Sequence, residues 1–408
     1  MNELEKKNNS YVINVKNTIF QISVIFVLDV LIFQNLIEKY IKIIKYFDET
    51  IAVIGIIAIY IYIIKKDFRI PKNDFVIMNG IIVITIIGFF SIFSYRLQEL
   101  KYAMVDWIIF IKFFSAYFLG KIIKKSFSLN KKLISRNIQI IIIILFLFSI
   151  ANYIFDLYPG EIRYGLKSNK IFYGHPTYLA VVSIALLSIN IKYTKKVFSF
   201  YNIVTLLLLL STLRFKSIGA AIVCFVIAVY IDMTGKKITF TKLGIAGLLV
   251  IFVTFQQIEA YYFTKNENAR NELTRTSITI AKEYFPIGTG FGTYGSYASA
   301  KKYSAVYYKY GLNNVWGLSK DFNAFITDTF WPMIIGQFGI LGCATYIICL
   351  ICILKNIQEG YSYTKDKYVY LACLISLVYL LISSSSETAF ANSFASLLAL
   401  IIGGENEK

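Results

Sequence analysis

The stretch IQIIIIILFLFSIANYIF, residues 138–155, runs for 18 residues without a charge. As a helix rising 1.5 Å per residue it covers about 27 Å, close to the roughly 30 Å hydrocarbon core of a bilayer. Eleven further apolar runs accompany it, at 19–37, 51–64, 75–93, 103–119, 178–191, 197–210, 218–231, 243–258, 331–354, 369–382 and 389–402. Twelve spans of about 20 residues would use about 240 residues. That agrees with a chain of 408 residues that is 57% hydrophobic and only 16% charged, against about 25% charged in an ordinary soluble domain. The composition excludes a soluble enzyme and predicts an all-α polytopic membrane protein of about 12 transmembrane helices. Several runs are only 14 residues long, so they must borrow flanking residues or lie where the bilayer is thin.

The first run is followed by Gln34, Asn35 and Glu38 instead of small residues, so it reads as a retained anchor and not as a cleaved signal peptide. Charge tests the span count, because cytoplasmic loops collect Lys and Arg. With the N-terminus inside, the cytoplasmic segments hold 23 basic residues against 10 in the five short outer loops. Both termini are then cytoplasmic, and most of the net charge of +18 is an orientation signal. The basic residues are divided among loops, which argues against a nucleic-acid partner.

One connection differs from the rest: residues 259–330, on the outer face between helices 9 and 10. Loops of this length are functional or disordered, and its many aromatic residues and modest net charge favour a small folded subdomain, with helix near 271–284. The chain divides into helices 1–9 (1–258), this extracytoplasmic subdomain (259–330), and helices 10–12 with a short tail (331–408). All five cysteines lie in apolar runs and imply no disulfide framework. A single histidine argues against a His-based metal site, and no metal or cofactor is expected.

The outer segments hold the candidate chemistry. Arg163 and His175 lie in the fifth-to-sixth connection, Arg214 and Lys216 in a tight turn, and Arg270 and Arg275 at the head of the long loop. Fixed guanidinium groups at a membrane surface suit the phosphate oxygens of a lipid-linked pyrophosphate, although outer loops also hold basic residues that merely meet lipid phosphates. Gly288, Gly290 and Gly292, in PIGTGFGTY at 286–294, could bring backbone N–H groups close to an anion or sugar, or simply end a helix. The match of 290–295 to G-x-G-x-x-G is rejected, because no buried strand precedes it. Asp321, Asp328 and Glu387 are candidates for a general base toward a hydroxyl. Asp328 could instead cap the helix that begins near Trp331. Asp29, Asp106 and Lys112 fall within or near span ends, where Lys112 could serve function or snorkel. The tyrosines of the long loop suit sugar faces and an interfacial subdomain equally.

Multi-span topology, the late outer loop, Arg163 upstream of FYGHPTYLA (172–180), TLRFKSIG (212–219) after an apolar helix, Arg275 ahead of PIGTGFGT, and DTFWP (328–332) with GQFG (336–339) together resemble the O-antigen ligase and polymerase superfamily. Within it the chain is most similar to Wzy-type polymerases of capsule and exopolysaccharide repeat units. The resemblance implies an inverting, metal-independent glycosyl transfer on the outer face of a bacterial cytoplasmic membrane. Donor and acceptor would be polyprenyl-pyrophosphate-linked oligosaccharides, and chain-length regulator and flippase proteins are candidate partners. It places Arg214 and Arg275 on the pyrophosphate, with Arg163 matching more loosely. The ligase branch carries a histidine beside an asparagine in the large loop. Here Asp321-Phe322-Asn323 has none, which argues against a ligase and leaves the base open among Asp321, Asp328 and Glu387. The rival from another class is a lipid-linked oligosaccharide flippase or other secondary transporter, for which repeated halves and short outer loops are expected.

Overall fold

The computed structural model describes residues 3–65, 70–126, 129–239, 241–242, 244 and 268–404, with the side chains of 3–17 and 126 excepted. The chain is mostly helical. Helices α1 (Glu3–Ile37), α2 (Phe47–Lys65), α3 (Lys72–Tyr95), α4 (Leu100–Ser126), α5 (Lys131–Phe155), α6 (Pro176–Thr194), α7 (Phe200–Ser211) and α8 (Phe215–Thr234) come first. Three short helices follow, α9 (Ala269–Glu283), α10 (Tyr297–Lys301) and α11 (Ala305–Lys309), and then α12 (Trp331–Thr364), α13 (Lys367–Ser383) and α14 (Ala395–Gly403). Between α5 and α6 a small antiparallel hairpin pairs β1 (Ile162–Arg163) with β2 (Leu166–Lys167), Arg163 opposite Leu166.

Eight helical stretches are long and apolar enough to cross a membrane: Thr18–Ile37, Lys42–Lys65, Lys72–Tyr95, Leu100–Lys125, Lys131–Phe155, Pro176–Thr194, Phe215–Thr234 and Trp331–Thr364. Each contains a run read from the sequence. Helices α7 and α13 are apolar but shorter, at 12 and 17 residues. The run at 389–402 yields only the nine-residue α14, its first residues being spent in a turn. The run at 243–258 lies outside the described residues. Ile57, Ile86 and Ile154 remain more than half exposed, part of an extensive apolar surface that a bilayer would cover. The chain is a helical, multi-pass membrane protein.

Sharp helix ends keep the connections short. Asn130 accepts the N–H groups of Lys132 and Leu133 at 3.1 Å and starts α5, while left-handed residues at Asp156 and Lys195 stop α5 and α6. At one end of the bundle Lys367 meets Asp232 at 2.6 Å, and Lys195 pairs with Asp366, the N-cap of α13. The opposite end carries the site.

Helix α4 packs against α2 and α14, α12 against α3, and α13 against α6 and α8. Where they meet, the rings of Phe110, Phe291 and Phe338 lie 4.8 to 5.8 Å apart in tilted and edge-on geometry, which the ring quadrupoles favour. The segment after Asn268 has a second, smaller core built on Leu273, Ile280, Tyr294, Tyr307 and Leu318. The hydroxyls of its two fully buried tyrosines are satisfied: Tyr294 donates to the Leu273 carbonyl at 2.5 Å, and Tyr307 accepts the Gly295 N–H at 2.8 Å. The helix expected near 271–284 is α9.

The two cores join at a break in α12. Gly339 has φ 63° and ψ −164°, a backbone region essentially confined to glycine. Freed from helical partners, the carbonyls of Gly336 and Gln337 accept N–H groups from Thr289 (3.0 Å) and Gly290 (2.7 Å), and Leu341 donates to the Pro286 carbonyl at 3.1 Å. The glycine-rich run is thus a strip of backbone sealed into a helix break. Side chains could not fit there, since a Cβ on Gly290 would lie 2.6 Å from the Gly88 carbonyl.

Two ion pairs lie deep in the bundle. Lys121 meets Asp74 at 2.8 Å, and Lys112 meets Asp48 at 2.6 Å with both side chains at 3% exposure or less. The snorkelling alternative for Lys112 is therefore corrected: α4 turns the ammonium inward, where an unpaired charge would be very costly. Asp29, by contrast, accepts a hydrogen bond from Asn137 at 2.7 Å.

Candidate functional site

Four connections converge at the end of the bundle away from Asp232. They are the α5–α6 hairpin, the α7–α8 turn, the two flanks of the small core, and the α13–α14 turn. Between them is a cleft of about 530 Å³ whose walls include Glu161, Arg163, His175, Arg214, Lys216, Arg270, Asp328 and Glu387. Seven of these eight come from separate parts of the sequence reading, and the fold gathers them into one space.

Local structure explains the placements. Arg163 sits on β1, opposite Leu166, and Glu161 is two residues upstream. In extended chain residues two apart share a face, and the Arg163 Nε and Nη2 reach Glu161 Oε2 at 3.0 and 2.8 Å. Helix α7 ends at Ser211 and α8 begins at Phe215, so Arg214 occupies the N-cap position, with no side-chain cap bond of its own. Its Nη2 lies 3.3 Å from Glu161 Oε1 and 3.3 Å from His175 Nε2. His175 in turn caps α6, its Nδ1 accepting the Thr177 N–H at 3.2 Å.

On the opposite wall, Lys216 Nζ meets Glu387 Oε2 at 2.8 Å and Arg270 Nη2 meets Asp328 Oδ2 at 2.7 Å. The capping alternative for Asp328 is corrected, because Phe330 is the N-cap of α12, without a side-chain cap bond, and Asp328 is held by Arg270. Glu387 Oε1 is buried with no hydrogen-bond partner among the described residues. Turned into the cleft that Glu387 lines, this oxygen can receive the proton of an incoming hydroxyl.

Electrostatics favour an anion. Arg163, Arg214, Lys216 and Arg270 face three carboxylates, a net of +1 with His175 neutral. Although one side of His175 is open to solvent, burial pushes its imidazole down to about 4, with the nearby Arg214 and Lys216 charges adding to the effect. Burial raises the Asp328 carboxyl, and the Arg270 charge and hydrogen bond act against that rise. The hydrogen bond from Arg163 holds the Glu161 carboxyl below its usual range. With Nδ1 accepting from Thr177, the neutral ring carries its hydrogen on Nε2, so Nε2–H and the Arg214 N–H groups confront each other. An oxyanion between them converts that conflict into two hydrogen bonds.

The remaining sequence candidates lie elsewhere. The Arg275 side chain is 74% exposed and pairs with Glu272 on its own helix at 3.5 Å, one turn beyond Arg270. Asp321 is exposed and does not line the cleft. Gly288, Gly290 and Gly292 stand in the α12 joint. The N–H of Gly288 goes to Tyr284, that of Gly290 to Gln337 and that of Gly292 to Asp106 Oδ2 at 2.7 Å, which leaves none of the three for a phosphate. Glu161 was not singled out from the sequence, although its spacing from Arg163 on a strand signals the contact. Among the described residues no group of three or more His, Cys, Asp or Glu side chains is placed to hold a metal ion. No family model matches the chain, and no curated protein matches it.

Proposed function

We propose that the protein is a polysaccharide polymerase. It joins polyprenyl-pyrophosphate-linked oligosaccharide repeat units by inverting, metal-independent glycosyl transfer on the outer face of a bacterial cytoplasmic membrane. The observation that carries this reading is the convergence of Arg163, Arg214, Lys216 and Arg270 with Asp328 and Glu387 in one cleft at the helix ends. In the proposed topology the chain crosses the membrane about twelve times with both termini inside, which puts the cleft and the small core outside.

The acceptor hydroxyl oxygen attacks the anomeric carbon of the donor sugar as the bond to the pyrophosphate oxygen breaks on the opposite face. Arg214, Lys216, Arg163 and Arg270 neutralise charge growing on the leaving pyrophosphate. Glu387 receives the hydroxyl proton through Oε1, oriented by Lys216 on its other oxygen. Asp328 positions Arg270.

Reconstitution of the purified protein with lipid-linked repeat units tests the reading. Longer lipid-linked glycans are expected, and they should disappear with Arg214→Ala. Movement of the lipid-linked glycan across the bilayer without new bonds would assign the chain to transport instead. Transfer only to a lipid core would make it a ligase.

A further inference from the structure

Ala324 and Phe325 line the cationic cleft, and the loop that carries them, residues 315–325, runs from there over the small core. Val315, Leu318 and Phe325 pack on that core, whereas Trp316 is 73% exposed and Phe322 42%. The rings of Trp316, Phe322 and Phe325 form one cluster, their centroids 5.1 to 6.0 Å apart. None of the mechanism above uses it.

The exposed rings stand on a loop that is tied at every turn. The Phe325 N–H donates to the Gly317 carbonyl at 3.0 Å, the Leu318 N–H to the Val315 carbonyl at 3.0 Å, and the Tyr303 hydroxyl to the Leu318 carbonyl at 2.6 Å. Gly317 has φ 83°, and a Cβ there would collide with the Phe325 ring, so the backbone makes room for that ring. The Ser319 hydroxyl accepts the Phe322 N–H at 3.1 Å and donates to the Phe322 carbonyl at 3.2 Å, closing a turn whose exposed tip is Lys320 and Asp321. Rings already held in place cost a ligand little ordering entropy.

The chemistry of this surface selects among ligands. The face of an aromatic ring is electronegative, and with the Asp321 carboxylate beside it the cluster does not attract a phosphate. Lys320 opposes a cation. Hydrocarbon would cover the rings but would strip water from the charged tip of the turn, which is costly. An uncharged sugar ring meets every condition: its C–H face packs on a ring, and its hydroxyls donate to Asp321 and accept from Lys320.

We infer that Trp316, Phe322 and Phe325 form a stacking platform for the glycan of the lipid-linked substrate where it runs out of the cleft. This inference rests on the glycosyl-transfer reading of the cleft. Phe325 makes the two spaces continuous, because it lines the cleft and its ring meets Trp316 at 5.1 Å. The platform holds a sugar remote from the reacting bond, so its contribution is to binding and not to the chemical step.

Tryptophan emission tests the platform. The chain holds three tryptophans, so the difference between the parent and Trp316→Phe isolates Trp316. The probe is free repeat-unit glycan, released by mild acid from the lipid-linked pool of the source cells. It should shift the Trp316 emission saturably, and brominated phosphatidylcholine in vesicles holding the full chain should leave that emission unquenched. Trp316→Ala should raise the KM for lipid-linked repeat units about five- to tenfold, as for one lost stacking contact, with kcat unchanged, and Trp316→Tyr should restore most of the loss. Polymerisation by the parent with no glycan response at Trp316, or with an unchanged KM in Trp316→Ala, overturns the platform and leaves the polymerase reading intact. Quenching by the brominated lipid assigns the rings to the bilayer and also overturns it. A saturable glycan response in a protein that makes no longer glycans keeps the platform and overturns the catalytic reading of the cleft.

Discussion

Lys216 Nζ holds Glu387 by one oxygen, Oε2, at 2.8 Å, and leaves the other, Oε1, buried and unengaged. The lysine thereby fixes the carboxylate's orientation without occupying the oxygen that a substrate would need. Glu387→Gln preserves the shape and removes the base. Polymer formation should fall by about 10²- to 10⁴-fold, the usual range for a lost general base, with pyrophosphate affinity by calorimetry retained. Wild-type rates in Glu387→Gln would transfer the role to Asp328 or to solvent.

The two arginines that the family resemblance pairs on the pyrophosphate should separate experimentally. Arg214 lines the cleft, whereas Arg275 is 74% exposed on α9. Arg214→Ala is expected to lower turnover about 10²- to 10³-fold, as for loss of one oxyanion donor. Arg275→Ala should stay within about twofold of wild type, as exposed substitutions do. Equal losses in the two variants would show that α9 turns to bring Arg275 into the cleft.

Glu161 is bonded to both Arg163 and Arg214 and is itself 60% exposed, so it competes with any arriving phosphate for the same donors. Exposed pairs are worth about 0.2–1 kcal/mol. Glu161→Gln should therefore tighten pyrophosphate binding by up to about fivefold, read as a lower dissociation constant. Weaker binding would show instead that Glu161 orients the arginines.

His175 is the only histidine in the chain, so its NMR titration can be read without assignment. Its pKa is held down to about 4 by burial first and by Arg214 and Lys216 next. The ring should stay neutral from pH 8 down to about pH 5. Arg214→Met removes a positive neighbour and should move the midpoint upward, and pyrophosphate should do the same by adding negative charge. A midpoint near 6.5 in the resting protein, unmoved by either change, would place the ring outside the cationic field.

The α12 break predicts a stability effect remote from the cleft. Gly339→Ala puts a Cβ in a glycine-only conformation, 2.7 Å from the Gly288 nitrogen, at a cost of order 1–3 kcal/mol. A lower thermal midpoint in detergent is the expected readout. A midpoint equal to the parent's would mean that α12 can straighten.

Much of the bundle was legible because a bilayer imposes length and polarity on each helix. The 138–155 run lies inside α5 and shares its last residue. Short spans were harder: the 389–402 run carries no charge, yet its first residues are drawn into a turn from which Asn392 lines the cleft, a tertiary demand that composition does not record. In the cleft, Arg163, Arg214, Lys216, Arg270, Asp328 and Glu387 were found by residue type, since polar groups between apolar runs have few structural uses. Their pairing was not legible, because it depends on how four connections from distant parts of the chain meet. The glycine run misled for a related reason: close backbone approach was correctly implied, but the partner is α12 and not a ligand.

The break at Gly339 is a weld and not a hinge. Bending it would strip the Gly336, Gln337 and Pro286 carbonyls of their partners in apolar surroundings, where each unpaired peptide group costs a few kcal/mol. The wall that carries Arg270 and Asp328 is thereby fastened to α12, a helix of 34 residues. Any widening that admits a bulky lipid-linked glycan must come from the other wall, where the β1–β2 hairpin meets the α7–α8 turn through Glu161 on Arg214, the Asn169 N–H on the Ser211 carbonyl at 2.9 Å and the Tyr164 and Phe215 rings.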